Sequence, residues 1–403
     1  MNIDQPTNKP NKSISLLICG IGGGGCNTIK NIINFNNQNI NINNLLAVNT
    51  DRQSFDIFKK QNFLNNIKQE IIENSNEVDK NILEKFNELK DNDYICPVLP
   101  LGISQYGAGA DPEVGLQLIK DTEEQLLKVL DGHDIIVLLS GLGGGTGSAG
   151  HEIARMAKGL DKLVISLVTT PFSFEGNARI NNANNSLKEY EKYSDMTVAI
   201  SNDKILQIQS AKQVNVSFKN SFKSIDEIGS AFAVSLFDII YNQGTINIDF
   251  ADINRIIRNQ KGKGVVGIGF GWGRDAANQA LEKALNNPLI KEDIGIASAN
   301  NLLIHISGDL TLLEINNIIT SVTKKMHNKN AQIIYGIGDG KENYTMFNKY
   351  FSKALNTDKR IRIMLIATGQ TNFETQKNNI DNYQEESHVY EGDQKSLADF
   401  DFF

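Results

Sequence analysis

The fold is decided by one stretch of the sequence, Ser140-Gly141-Leu142-Gly143-Gly144-Gly145-Thr146-Gly147-Ser148. This stretch follows the apolar run Ile135–Leu139, which predicts a buried strand, and it begins a helix predicted over Thr146–Lys158. Glycines let backbone N–H groups approach an anion closely, and the N-terminus of a helix adds partial positive charge. The stretch therefore predicts a phosphate-binding turn between a strand and a helix.

Two more glycine-rich loops occupy comparable positions. Gly20-Ile21-Gly22-Gly23-Gly24-Gly25 follows the predicted strand Ile14–Cys19 and opens a helix from about Cys26 to Phe35. Gly107-Ala108-Gly109-Ala110-Asp111-Pro112 opens a helix predicted over Pro112–Leu130, with Asp as its N-cap and Pro at its first position. Loops that follow parallel strands meet at the carboxyl edge of a sheet, where ligands bind. Three such loops suit a polyphosphate better than a single pyrophosphate.

Outside these loops the chain alternates strands and helices. The pattern predicts an α/β fold, with a Rossmann-like parallel-sheet domain joined by a long central helix to a smaller α/β domain. Apolar residues at three- and four-residue steps from Ile225 to Ile240 predict that central helix. The remaining elements are predicted as strands at Leu45–Asn49, Leu163–Thr169, Thr197–Ile200, Val265–Phe270, Leu302–Ile306, Gln332–Ile337 and Ile361–Ala367, and as helices at Ala178–Tyr193, Asp252–Asn259, Arg274–Leu285 and Leu310–Met326.

Composition changes predict the domain boundaries. The first domain covers residues 13–219, the central helix 220–241 and the second domain 242–369. A polar insertion at about 52–98 is predicted to lie on the outside of the first domain's sheet, and a second polar insertion covers 339–359. Residues 1–12 and 370–403 are hydrophilic without periodicity, which predicts disorder. The last residues, 397–403, are acidic and aromatic and predict a docking peptide for an adaptor or membrane-anchor protein.

Length, charge and cysteine usage exclude several classes of protein. A chain of 403 residues with a net charge of −7 and no long Lys/Arg block lacks the basic face of a nucleic-acid binder. No run of 18 apolar residues occurs, so the sequence predicts no segment inserted in a membrane. Cys19, Cys26 and Cys96 lack zinc or redox spacing, which predicts reduced thiols in a cytoplasmic protein and no metal held by side chains.

The first glycine cluster has other readings when it is taken alone. It fits the dinucleotide pattern G-x-G-x-x-G, with Asp51 as a ribose ligand, and so allows an NAD-dependent oxidoreductase. It also allows a tight turn that binds no ligand. The G-x-x-x-x-G-K-[ST] pattern of P-loop enzymes does not occur. A hydride-transfer enzyme would need only the first cluster. This interpretation therefore does not explain the glycines of Gly143–Gly147.

The stretch Gly143-Gly144-Gly145-Thr146-Gly147-Ser148 resembles the signature loop of the tubulin/FtsZ family, and the resemblance extends from about Ser13 to Gly369. Ala47-Val48-Asn49-Thr50-Asp51 is similar to the family's second strand. Two more matches follow in family order: Pro171-Phe172-Ser173-Phe174-Glu175-Gly176 with Arg179, and Asn247-Ile248-Asp249-Phe250-Ala251-Asp252. The resemblance implies a tubulin/FtsZ-like fold and a GTPase that polymerises into filaments in prokaryotic cell division.

The resemblance also implies a role for each matching residue. The first cluster and the signature loop would hold the phosphates of GTP or GDP with Mg²⁺, and the loop from Gly107 would face the γ-phosphate. Asn27, Phe222 and Asp226 would bind guanine, and Glu175 and Arg179 the ribose and phosphates. The implied nucleotide-binding set comprises Gly22, Gly23, Gly24, Gly25, Cys26, Asn27, Gly107, Ala108, Gly109, Ala110, Gly143, Gly144, Gly145, Thr146, Gly147, Ser148, Glu175, Arg179, Phe222 and Asp226.

Several of these residues have simpler explanations. Glu175 and Arg179 are four residues apart, so a helical ion pair of a few tenths of a kcal/mol would also account for them. Phe222 alone would be a core residue, and Asp226 at a helix start would be a cap. Their occurrence together in family order favours the site.

Asn247, Asp249 and Asp252 form an acidic loop after the central helix. Asp249 can cap the next helix, and Asp252 three residues later can complete a pair like a capping box. The same spacing places both carboxylates on one exposed end, where they could polarise water. The resemblance implies that this loop projects onto the nucleotide of the next subunit and makes these three residues catalytic. Such a head-to-tail contact is heterologous and produces an open filament.

Some features depart from the family pattern. The insertions are longer than their counterparts, Ala149-Gly150-His151 replaces the usual Ala-Pro pair, and the tail is acidic and aromatic instead of aliphatic and basic. These departures leave open whether the chain is the main division protein or a paralogue. A non-hydrolysing scaffold of the same fold is a further alternative, although such a scaffold would lose the acidic loop.

Overall fold

The structure, a computed structural model, describes residues 14–35, 41–62, 93–102, 107–204, 218–242, 244–258, 262–287, 295–338 and 359–369. The described strands form one ten-stranded sheet with the order β3-β2-β1-β4-β5-β6-β7-β10-β8-β9. Their bounds are β1 Leu16–Ile21, β2 Leu45–Asn49, β3 Val98–Pro100, β4 Ile135–Gly141, β5 Leu163–Thr170, β6 Met196–Ser201, β7 Gly262–Trp272, β8 Asn301–Gly308, β9 Gln332–Gly338 and β10 Arg360–Thr368.

The sheet is mostly parallel, as predicted. Among the described strands, only β10 pairs antiparallel, with β7 on one side and β8 on the other. β6 and β7 pair at Met196–Gly262 and Thr197–Lys263, and this short junction connects the two halves of the sheet. β4 and β5 are buried along nearly their whole length, which explains their continuous apolar sequences.

Helices cover the sheet and join its strands. Their bounds are α1 Gly22–Phe35, α2 Pro112–Asp121, α3 Glu123–Asp131, α4 Gly145–Ala149, α5 His151–Gly159, α6 Asn177–Tyr193, α7 Phe218–Tyr241, α8 Phe250–Ile257, α9 Ala276–Leu285 and α10 Leu312–Lys325. Apolar residues of α1 and α7 pack on one face of the first seven strands, and those of α2, α3, α5 and α6 pack on the other. A third cluster lies between α9, α10 and the strands of the second half.

The central helix α7 lies along the sheet from its carboxyl edge to its amino edge. Near its start, the Thr28 hydroxyl in α1 is 3.5 Å from an Asp226 carboxylate oxygen. At its last residue, the Tyr241 hydroxyl accepts a 2.8 Å hydrogen bond from the backbone N–H of Leu16, the first residue of β1. Because α1 begins where β1 ends, the two ends of α7 lie at opposite edges of the sheet.

Two predicted helices are each divided into two. The helix predicted over Pro112–Leu130 breaks at Thr122, whose hydroxyl donates to the Leu118 carbonyl and accepts from the N–H of Gly102. A side chain that bonds the backbone in this way competes with helix continuation. The helix predicted over Thr146–Lys158 breaks at Gly150, where a Cβ atom would lie 2.2 Å from the Tyr190 hydroxyl.

The two described ends of the insertion at 52–98 pack against the core of the first domain. Phe55 and Phe58, in the 3₁₀ helix Arg52–Phe58, are buried in the core, and so are Ile95 and Cys96. The position of the whole insertion on the outside of the sheet stays a prediction. Residues 63–92 lie outside the described residues, as do 339–358 of the second insertion, residues 1–13 and the tail at 370–403.

Candidate active site

The first two glycine loops meet at the carboxyl edge of the sheet, where α1 and α4 begin. Gly22 and Gly143 have left-handed backbones with φ of 71° and 96°, which favour glycine. A Cβ atom on Gly147 would lie 2.1 Å from the Gly141 carbonyl oxygen, so no larger residue fits there. A Cβ atom on Gly23 or Gly144 would meet no atom of the described chain within 4 Å. These two glycines therefore border open space that a phosphate chain could fill.

Hydrogen bonds within the signature loop fix its shape. The N–H of Gly143 donates to the Ser148 hydroxyl at 2.9 Å, and the Ser140 hydroxyl donates to the Gly147 carbonyl at 2.9 Å. The buried Tyr190 hydroxyl donates to the same carbonyl at 3.0 Å. Ser148 was predicted to bind nucleotide; its side chain is fully buried and its observed bond holds the loop itself.

The third loop lies against the signature loop. Its Ala108 packs under Gly145, where a Cβ atom would come within 2.6 Å of the Ala108 Cβ atom. Gly109 and Ala110 have φ of 58° and 63°. Asp111 caps α2 as predicted, with one carboxylate oxygen accepting a 2.9 Å hydrogen bond from the N–H of Glu113. All three glycine loops thus converge on one edge of the sheet.

No role was predicted from the sequence for Thr50, which lies between these loops. The Thr50 hydroxyl lies 2.7 Å from the Thr146 hydroxyl and accepts a 3.0 Å hydrogen bond from the N–H of Ala108. Its neighbour Asp51, the ribose ligand of the oxidoreductase alternative, caps the 3₁₀ helix that follows β2 by accepting from the N–H of Gln53. The sequence signal that could have indicated Thr50 is its place immediately after β2, at the carboxyl edge.

The residues predicted to bind guanine lie together at the start of α7. Asn27 is exposed on α1, and the next residue, Thr28, contacts the half-buried Asp226. Burial raises the pKa of Asp226 to about 7, the Thr28 hydroxyl opposes this rise, and the nearby Glu227 charge adds to it. At pH 7 about half of these groups are ionised, and the ionised form can accept hydrogen bonds from a base.

Phe222 is half-buried and has aromatic neighbours. Its ring meets Phe172 edge to face, with centroids 5.4 Å apart, and Phe172 stacks on Phe174 at 4.9 Å. The Phe174 side chain is 59% exposed, which is unusual for a phenylalanine. Phe222 therefore belongs partly to the core, as its simpler explanation held, and it also borders the site.

Glu175 and Arg179 form the ion pair that their spacing allowed. Glu175 also accepts a 2.8 Å hydrogen bond from the N–H of Phe172. Arg179 lies against the signature loop, since a Cβ atom on Gly143 would be 3.1 Å from the Arg179 carbonyl oxygen. Arg179 can therefore pair with Glu175 and lie beside the signature loop at the same time.

Cys26 lies in the first turn of α1, beneath the loop. Its buried thiol faces the carbonyl oxygens of Val48 and Gly20, and burial raises its pKa to about 12. The side chain therefore stays a neutral thiol, so a contact from Cys26 to a nucleotide would come from its backbone. Cys19 and Cys96 are also buried, and burial raises the pKa of both thiols.

The acidic loop lies at the other end of α7. The Asn247 side-chain oxygen accepts a 2.7 Å hydrogen bond from the N–H of Gly244, which folds the loop back on itself. Asp249 caps α8 by accepting a 2.7 Å hydrogen bond from the N–H of Asp252. Asp252 lies 3.7 Å from the Arg255 guanidinium. The structure brings these three residues together and separates them from the glycine loops.

Within the described residues, no group of three or more His, Cys, Asp and Glu side chains is arranged to hold a metal ion. No helix of the described part of the chain is long and apolar enough to cross a membrane.

Comparisons with known proteins identify the family. The model of the Tubulin/FtsZ family, GTPase domain, matches residues 15–210, and that of the FtsZ family, C-terminal domain, matches residues 262–371. The chain belongs to the tubulin/FtsZ family. It is 33% identical over 374 residues to cell division protein FtsZ 1 of Pyrococcus woesei, a match covering 92% of this chain and 87% of that protein. It is 30% identical over 345 residues to FtsZ of Rickettsia bellii, covering 83% and 65% of the two chains.

Solved structures agree with this assignment. An empty FtsZ dimer from M. jannaschii superposes with a TM-score of 0.68 at 27% identity, covering 89% of both chains. GDP-bound CetZ1 from Haloferax volcanii shares the fold, with a TM-score of 0.62 at 18% identity over 91% of this chain and 99% of that one. The predicted fold class and family are confirmed. The tubulin/FtsZ protein is a GTPase whose nucleotides are GTP and GDP, and the oxidoreductase and non-hydrolysing alternatives are not favoured.

Proposed function

We propose that this FtsZ-family GTPase assembles head to tail into filaments and hydrolyses GTP at the junction between two subunits. The observation that carries the proposal is the separation of the glycine loops and the acidic loop at opposite ends of α7. From Asp226 to Tyr241 this helix rises by about 22 Å, at about 1.5 Å per residue. One subunit's Asp252 cannot reach its own nucleotide over that distance, whereas a stacked neighbour's loop can.

The two ends supply complementary chemistry. The glycine loops offer backbone N–H groups and helix N-termini, which stabilise the charge of the phosphates. Asp252, from the next subunit, would polarise the attacking water and accept its proton. Asp249 accepts a hydrogen bond from the backbone N–H of Asp252, and Asn247 accepts one from the N–H of Gly244 in the preceding turn. We therefore assign the chemistry to Asp252 and positioning to the other two residues of the loop.

Mg²⁺ fits the nucleotide end. This cation binds hard oxygen ligands, and it commonly uses one or two carboxylates together with phosphate oxygens and waters. Two carboxylates flank the third loop: Asp51, whose Cβ atom would lie 3.4 Å from a Cβ atom on Gly107, and Asp111, which follows the loop and caps α2. Either carboxylate would hold Mg²⁺ against the terminal phosphates, where the ion neutralises charge that develops during hydrolysis.

The end that carries the acidic loop also exposes apolar surface. Ile246 pairs with Ile337 at the end of β9, and β9 ends beside β8, which leads directly into α10. At the start of α10, Leu312 and Leu313 are 83% and 68% exposed. Large apolar side chains exposed side by side are typical of interaction surfaces. They support a subunit contact that includes the acidic loop.

A mixing experiment tests catalysis in trans. Asp252→Ala should bind GTP and hydrolyse it slowly, whereas Gly144→Asp places a carboxylate against the phosphates and should bind no nucleotide. In a mixture, an intact acidic loop can meet a loaded pocket, so part of the GTPase activity should return. Wild-type turnover per molecule should also rise steeply above a threshold protein concentration. A constant turnover without recovery in the mixture would mean that each subunit carries a complete site.

The relatives named cell division protein FtsZ support a role at the division site, reached through the tail. The peptide 397–403 would bind an adaptor or a membrane-anchor protein. Deleting residues 371–403 should leave GTP hydrolysis and assembly in vitro intact and abolish localisation to the division site in cells. Loss of assembly in vitro would instead make the tail part of the filament.

A further inference from the structure

Thr50 occupies the point where the signature loop and the third glycine loop meet. It follows β2 directly and is 1% exposed. Its hydroxyl accepts a hydrogen bond from the N–H of Ala108 at 3.0 Å and lies 2.7 Å from the Thr146 hydroxyl. A threonine hydroxyl has one proton and two acceptor positions, so both contacts are satisfied at once. One side chain therefore connects two loops that are far apart in sequence.

The third loop depends on this connection for its conformation. Ala110 has a left-handed backbone with φ of 63°, which costs free energy for a residue with a Cβ atom. Such a conformation persists where its surroundings determine it. The bond from Ala108 to Thr50 anchors the start of the loop, and the bond from the N–H of Asp111 to the Ala108 carbonyl, at 2.9 Å, closes the turn.

We propose that Thr50 is the positioning residue that holds the loop Gly107–Ala110 in place for the terminal phosphate, and so sets the preference for GTP over GDP. The proposal rests on the proposed function, in which this loop faces the γ-phosphate. The observed contacts of the Thr50 hydroxyl are with the two loops, so we assign it a role that acts through them. Without its hydroxyl, the N–H of Ala108 and the hydroxyl of Thr146 lose their shared partner, and the loop no longer presents its backbone to the third phosphate.

A matched pair of substitutions tests the proposal. Thr50→Val removes the hydroxyl and keeps the shape, while Thr50→Ser keeps the hydroxyl. Thr28→Val is the control, because it makes the same change at a hydroxyl that bonds the Gly24 carbonyl at 3.1 Å and contacts Asp226 at 3.5 Å, with no observed bond to the third loop. Kd would be measured for a slowly hydrolysed GTP analogue and for GDP, below the assembly threshold. Removing a buried hydrogen-bond partner should weaken binding of the GTP analogue about ten-fold in Thr50→Val.

The ratio of the two affinities decides the outcome. We expect GDP binding by Thr50→Val to change less than two-fold, Thr50→Ser to keep the wild-type ratio, and Thr28→Val to weaken both nucleotides equally. Equal losses for both nucleotides in Thr50→Val, or a wild-type ratio in that variant, would overturn the proposal. If Thr50→Val does not fold, Thr50→Ala is measured by the same criteria. Failure of the wild-type chain to bind GTP would instead contradict the function itself.

Discussion

The two ends of α7 are built in different ways. At the end near Asp226, backbone groups of three loops converge. The buried Thr50 hydroxyl connects two of these loops, and the buried Ser148 hydroxyl holds the signature loop itself. At the other end, exposed side chains dominate: Asp249 caps α8, Asp252 lies in its first turn, and Leu312 and Leu313 at the start of α10 are also exposed. The first end presents backbone groups held by buried hydrogen bonds, and the second presents carboxylates and apolar side chains.

This difference explains why a single chain separates its two half-sites. Carboxylates placed beside a triphosphate in the same subunit would repel it at all times and weaken nucleotide binding. When the acidic loop lies on the far end, repulsion arises only after two subunits meet, and the contact energy offsets it. Under the proposed function, hydrolysis would therefore depend on assembly.

The largest effect is expected from a substitution that changes only the acidic loop. Asp252→Asn should lower the rate of GTP hydrolysis by about 10²–10⁴-fold, because the variant loses its proton acceptor. Its GTP affinity should equal that of the wild type. Phosphate release measures the rate, and nucleotide competition measures the affinity.

Asp161→Asn provides the control for that experiment. Asp161 is a second exposed carboxylate at the amino edge, where it bonds Arg258, and asparagine tolerates its left-handed φ of 57°. We expect its hydrolysis rate to stay within two-fold of the wild type. Equal losses in both variants would show that net charge at this edge matters, and not the Asp252 side chain.

The next effect concerns the base at the nucleotide end. Asp226 offers acceptors for the N1–H and 2-amino groups of guanine, which adenine lacks. Leaving such buried groups unpaired commonly costs several kcal/mol, so Asp226→Ala should lose about 10²-fold in its preference for GTP over ATP. Inosine triphosphate, which keeps N1–H and lacks the 2-amino group, should fall between the two in wild-type affinity. Equal wild-type affinities for GTP and ATP would contradict the assignment.

A smaller effect follows from the pKa of Asp226, raised to about 7 by burial. Guanine needs the ionised carboxylate, whose fraction rises from about 1/11 at pH 6 to about 10/11 at pH 8. GTP affinity should therefore increase about ten-fold over this range and level off above it. The stability of the nucleotide-free protein should change in the opposite direction. With a folded-state pKa above the unfolded one, the contribution of Asp226 is complete below about pH 4 and is lost as the pH rises through 7.

Asp226→Asn should flatten both pH profiles. The binding profile comes from nucleotide competition at each pH, and the stability profile from denaturant unfolding without nucleotide. A pH dependence that persists in this variant would have to come from another group.

Much of this architecture could be predicted because its causes are local. Glycine clusters after apolar strands, Asp111 before Pro112, and the spacing of Asp249 and Asp252 each fix a turn or a cap within a few residues, and all were predicted. The nucleotide-binding and catalytic assignments themselves stay predictions that the experiments above address.

What could not be predicted depends on contacts between distant residues. Thr50 and Thr146 are 96 residues apart in sequence, and Thr28 and Asp226 are 198 apart. Neither pair leaves a periodic pattern. The need for glycine at position 150 comes from Tyr190 of another helix, and the burial of Phe55 and Phe58 depends on where the sheet lies beneath them. Tertiary packing decides each of these features.

The smallest effect is expected on the assembly threshold, from substitutions of the exposed leucines at the start of α10. If Leu312 and Leu313 pack against the next subunit, replacing either with serine should remove part of the apolar area buried on assembly. A half-buried leucine contributes on the order of 1 kcal/mol, so each variant should raise the threshold concentration for assembly about five-fold. Both side chains are exposed in the single subunit, so the free energy of unfolding should not change. Tyr94→Ser is the control, because Tyr94 is 40% exposed beside Lys59 and precedes β3, the edge strand farthest in the sheet order from β8 and β9. Light scattering at increasing protein concentration gives the threshold. An unchanged threshold in both leucine variants would place the subunit contact elsewhere on this end and would leave catalysis in trans to be judged by Asp252 alone.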